Sequence, residues 1–161
     1  MLIQWKNNNK GVSIVEILVV SAIIGTAFVS LLGLAALSLK SSTLIKETTQ
    51  AENIAKETIE AVRNLRDGTT WGTDGLGTLT PGISYYPEID ITEWTLAQGE
   101  ETINGFTRKV VFEKVSRDPG TKNIEATYNP VNDDPNTRKV TVTVFWKSRK
   151  VEIITYLTNW K

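Results

Sequence analysis

Residues 17–39 read ILVVSAIIGTAFVSLLGLAALSL, a run without a single charged side chain. As an α-helix its 23 residues rise about 34 Å, enough to cross the hydrocarbon core of a bilayer. Before it stands MLIQWKNNNKG, short and polar, with Lys6 and Lys10 and no acid. That flank reads as cytoplasmic by the positive-inside rule, although Lys40 and Lys46 beyond the run reduce the asymmetry. The run is too long for the apolar core of a conventional cleaved signal, even with Ala35-Ala36 near its end. A small soluble domain could hardly cover such a helix on all sides. A single membrane span remains.

Glu16 complicates a plain anchor. It lies inside the apolar stretch, after Ile14 and Val15. An ionised carboxylate in a bilayer costs on the order of 2.5–3.5 kcal/mol on insertion scales. Such an acid asks for a cationic partner, and a new chain terminus just before it would supply one.

The stretch KGVSIVEILVVSAIIG, Lys10 to Gly25, resembles the cleavage and methylation segment of type IV prepilins and type II secretion pseudopilins. The resemblance implies a prepilin peptidase that cuts after Gly11 and N-methylates Val12. It also implies that Glu16, the fifth mature residue, serves methylation and subunit docking. Gly11 lets the peptidase reach the backbone without a side chain in the way. The freed Val12 amine would sit at the head of a helix, where the dipole disfavours it and Glu16 offsets it. In a filament, Glu16 could instead meet the amine of a neighbouring subunit and set axial register. Gly33 stands where many pilins bend this helix with proline.

From Lys40 to Asp67 there is no Gly or Pro, and Leu44, Ala51, Ala55, Val62 and Leu65 recur at amphipathic spacing. The spacing predicts one helix from about Val12 to Asp67, with Gly68 as a C-cap glycine. TTWGTDGLGTLTPG then reads as a connection; no strand precedes it and no Gly-Lys-Ser/Thr follows, which excludes a phosphate loop. Short β-prone segments follow, then FTRKVVFEKVSR. The clearest strand signal is RKVTVTVFWK, a turn at Ser148-Arg149, and KVEIITYLTNW. The expected fold is α+β: a long N-terminal helix packed on a small antiparallel β-sheet head. The expected division is leader 1–11, transmembrane or filament-core helix 12–39, amphipathic continuation 40–67 and extracytoplasmic head 68–161.

The chain has no Cys and no His, which excludes disulfides, thiolate or imidazole metal sites and His-based triads. Paired carboxylates are left, but Glu100 and Glu101 would face opposite ways on a strand. No enzyme and no cofactor are expected. Trp94, Trp146 and Trp160 read as core more readily than as a ligand surface. Asn132, Asp133, Asp134 and Asn136 offer oxygen of the kind calcium takes, yet their spacing is not that of an EF-hand and such clusters are ordinary turn formers.

Charge is unevenly spread. Removing Lys6 and Lys10 with the leader leaves 16 basic against 18 acidic residues. No basic residue lies between Arg66 and Arg108. Arg138, Lys139, Lys147, Arg149 and Lys150 crowd the final hairpin. Three readings stay open for them: a solvated edge strand protected by its charge, a contact face toward neighbouring subunits, or a DNA-binding patch.

The resemblance implies a structural subunit of a pilus or pseudopilus, more in keeping with a minor subunit than the main one. It would be a single-pass protein of the cell's inner membrane, its N-terminus cytoplasmic before cleavage. Its partners would be the lipid bilayer before assembly, the prepilin peptidase, an inner-membrane assembly platform and other pilin subunits. The assembled filament would lie in the periplasm or at the cell surface. The rival reading is a single-span, membrane-anchored extracellular binding domain.

Overall fold

A computed structural model describes residues 11, 13–91 and 93–160. Lys6, Lys10 and Val12 lie outside the described residues. Helix α1 runs Ile14–Gly68. It is followed by β1 (Ser84–Asp90), β2 (Glu93–Gln98), β3 (Glu101–Ile103), β4 (Phe106–Ser116), a 3-10 turn (Pro130–Asn132), β5 (Asp133–Trp146) and β6 (Arg149–Thr158). The chain forms two compact units that meet between Ile45 and Lys46.

The first unit contains the apolar part of α1. Its apolar side chains are exposed among the described residues: Leu18, Phe28 and Leu32 are each more than 60% exposed. The helix is long and apolar enough to cross a membrane. Three of its hydroxyls turn inward on their own backbone. Ser21 donates to Leu18 O (3.0 Å), Thr26 to Ile23 O (2.9 Å) and Ser30 to Thr26 O (2.9 Å). Those bonds leave the side chains with no donor that a lipid would have to satisfy. Gly33 does not interrupt the helix.

The second unit is a six-stranded antiparallel sheet, ordered β2-β1-β4-β5-β6 with β3 also paired to β4, together with the C-terminal part of α1. Ala51, Ala55, Ile59 and Val62 recur every three or four residues and form one buried helical face. They meet Val110, Phe112, Val140, Val142, Val144, Trp146 and Leu157 from the sheet. The small alanines bring the helix backbone close, while Phe112 fills the centre edge-on to Tyr85 at 5.8 Å between centroids. Burying an aromatic or aliphatic side chain of this kind contributes about 1.5–3 kcal/mol.

The expected α+β fold with an antiparallel sheet is the one observed. Several local expectations are corrected. Gly68 is the last residue of α1 and not a left-handed cap, because Thr69 closes the helix by bonding Leu65 O through both its N–H (3.0 Å) and its hydroxyl (2.5 Å). The terminal hairpin turns at Lys147-Ser148, one residue earlier than expected. Trp146 continues the inward row of Val140, Val142 and Val144 and so pairs with Arg149. The Asp133-Asp134-Pro135 stretch is not a plain turn but the start of β5. Proline has no N–H for the ladder, and the register with β4 shifts there, between Lys114 and Val115. Trp146 is core, Trp94 is half-buried, and Trp160 is 65% exposed beyond the end of β6, donating to Asp67 (3.1 Å).

Candidate assembly segment and charged clusters

Gly11 is exposed, and a side chain built on it would meet nothing within 4 Å. Helix α1 starts as Ser13 O accepts the N–H groups of Glu16 (2.9 Å) and Ile17 (3.2 Å). Glu16 thus occupies the first turn, where the helix dipole favours an anion. It shares a shallow groove with Ile17, Val20, Ser21 and Ile24, which occupy one helical stripe. Between Gly11 and Leu39 it is the only ionisable side chain. A carboxylate at the edge of an exposed apolar helix can receive a cation from outside the chain.

The five basic residues of the last hairpin do not form one face. Arg138 is 6% exposed; it donates to Pro135 O, Thr137 O and Gly77 O and lies over the Trp71 ring at 5.9 Å. Lys139 faces the other side of the sheet and bonds Glu113 at 2.8 Å, which holds its ammonium above the usual lysine range despite some burial. Lys147, Arg149 and Lys150 gather at the opposite end of β5, around the turn. Lys147 bonds Glu47 on α1 at 2.5 Å. That bond, more than burial can oppose, draws the Glu47 carboxyl below its ordinary range. Lys150 bonds Glu152 at 3.0 Å. Arg149 makes no ion pair among the described residues.

The oxygen-rich stretch is similarly engaged. Burial pushes the Asp134 carboxyl up, but the Thr137 hydroxyl, the Arg117 guanidinium (2.5 Å) and the Asn136 N–H together bring it below the usual carboxylate range. Asp133 accepts from Tyr128 Oη at 3.0 Å and lies 3.8 Å from Lys114 Nζ. Among the described residues no group of three or more acids gathers as a metal would need. Glu100 and Glu101 take separate partners, Lys109 at 2.6 Å and Arg108 at 2.7 Å, on neighbouring residues of β4 that face opposite sides.

One residue carries more than its sequence neighbourhood suggests. Arg108 is 4% exposed yet reaches Glu101 from β3, Glu57 from α1 (3.1 Å) and Pro87 O from β1 (3.0 Å). No local motif announces it, because its partners lie 7, 51 and 21 residues away.

Comparison with protein families, curated proteins and solved structures finds no match to this chain. The layout itself, a long N-terminal apolar helix followed by an antiparallel sheet, is consistent with a pilin-like one.

Proposed function

We propose that this chain is a pilin-like subunit, inserted in a membrane as a precursor, cut after Gly11, N-methylated on Val12 and assembled into a helical filament. The observation that supports it is the N-terminal part of α1: an exposed apolar stretch through Leu39 whose sole ionisable group is Glu16, five residues past Gly11. In a bilayer that helix faces lipid; in a filament it would face the same helices of other copies. Apolar burial is then nearly unchanged on assembly, and the gain is polar, as Glu16 meets the Val12 amine of a neighbour in a low-dielectric core. The chain works by assembly, not turnover, with a prepilin peptidase, an assembly platform and other subunits as its partners.

Co-expression with a prepilin peptidase and intact-mass measurement tests this. Loss of the first 11 residues together with one added methyl group is expected. An uncut chain would overturn the reading and leave an anchored binding domain in its place.

A further inference from the structure

We infer that the tip of the β5–β6 hairpin docks on anionic lipid headgroups while α1 spans a bilayer. The inference rests on the span alone and is independent of cleavage and methylation.

The cations come first. With Arg138 buried and Lys139 toward the other end of β5, the basic hairpin reduces to Lys147, Arg149 and Lys150 around one turn. The side chains of Lys147 and Lys150 are 71% and 60% exposed, and Arg149 and Lys46 are also exposed. Glu47 and Glu152 are outnumbered by these four cations.

Position comes next. The Lys147–Glu47 bond ties the tip to α1. Glu47 stands eight residues after Leu39, the last of the charge-free run. Eight residues reach at most about 28 Å when fully extended and about 12 Å as helix, a bound that holds for any angle between the two units. The headgroup layer adds roughly 5–7 Å beyond the hydrocarbon, and the surface field extends about another 8–10 Å at physiological salt. The tip is thus tethered closely enough for its cations to reach the layer in which an anionic surface attracts them.

Apart from Glu47 and Glu152, three exposed carboxylates lie on another hairpin. Glu88, Asp90 and Glu93 are exposed on the β1–β2 hairpin. Glu93 and Trp94 share a hollow with Asn64, Leu65 and Gly68, about 17 residues, or roughly 26 Å, further along α1 than Glu47. Within the head, Lys147 pairs with Glu47 near one end of its helical segment, and Glu93 lies beside Asn64 and Gly68 near the other. A three-cation turn is also too small for a track along DNA phosphates, whose contacts usually run to six or more.

The chain has no cysteine, so Ser148→Cys carries a single fluorescent label on the turn. The full chain, one copy per nanodisc, is compared in phosphatidylglycerol and phosphatidylcholine. Shielding from a water-soluble quencher is expected in the anionic discs and not in the zwitterionic ones. It should vanish near 1 M salt, where the screening length falls to about 3 Å. Triple replacement K147Q/R149Q/K150Q should lower the docked-to-undocked ratio roughly fivefold per cation removed. The charge-preserving K147R/K150R pair should keep it, and circular dichroism checks that each variant folds. Equal shielding in both lipids, or shielding that survives the triple replacement, overturns the proposal. Shielding that appears only with several copies per disc also overturns it, in favour of a contact between copies.

Discussion

Arg108 shows how a single side chain joins α1, β1 and β3 to β4. Its guanidinium is desolvated, whereas Glu57 and Glu101 remain 56% and 34% exposed, so the ion pairs are partly screened and the hydrogen bonds carry much of the effect. Arg108→Ala should destabilise the head by about 2–3 kcal/mol, read by urea unfolding of the detergent-solubilised chain. Glu57→Gln should cost well under 1 kcal/mol. Asp134 makes a second prediction. Its depressed pKa contributes stability above the ordinary carboxylate range that is lost as pH falls through the depressed value. Unfolding below about pH 4 should therefore be shallower in Asp134→Asn than in the parent. An acid limb of unchanged slope would count against this assignment. Glu16→Gln, finally, should leave membrane insertion intact and abolish filament formation, as scored by electron microscopy.

At the scale of elements, the strands that face a core were the easiest to read. Val140, Val142 and Val144 alternate with Thr141 and Thr143; all three valines are fully buried and Thr141 is half-buried, while Thr143 departs from the alternation and is buried too. The helix was legible for a different reason: nothing between Lys40 and Asp67 breaks it, and its small residues recur on one face. Ala55 is fully buried there, so Ala55→Leu should overpack the helix–sheet contact and cost about 1–3 kcal/mol by thermal melting. What escaped the sequence was short or long-range. Strand β3 has only three residues, although its two-residue Asn104-Gly105 turn, both at positive φ (51° and 83°), is a recognisable hairpin signal. Arg108 and the Arg138–Trp71 stack could not be read locally, because each depends on residues brought together only by the finished sheet. The five basic residues read as one face because a linear string hides the alternation that sends Arg138 inward and Lys139 outward.

For the whole molecule, the uncovered apolar helix predicts behaviour that does not depend on any filament. The chain should pellet with membranes through alkaline carbonate washing and be released by detergent. Asp at both Val20 and Leu32 should convert it to a washable or degraded species. The absence of histidine means that no side chain of ordinary pKa titrates between about pH 5.5 and 8. Head stability should accordingly be flat across that range in denaturant titrations.

The pairing of α1 with β6 also sets a clock. Ala51, Ala55 and Val62 are synthesised early, but Leu157, which closes the same core, arrives about a hundred residues later. At about 5–20 residues per second the ribosome needs roughly 5–20 s to cover that gap. Throughout that interval the apolar run has already been made, while the helical face beyond it waits for a sheet that does not yet exist. Any chain released before its last strand carries the exposed apolar run together with an open, sticky half-core.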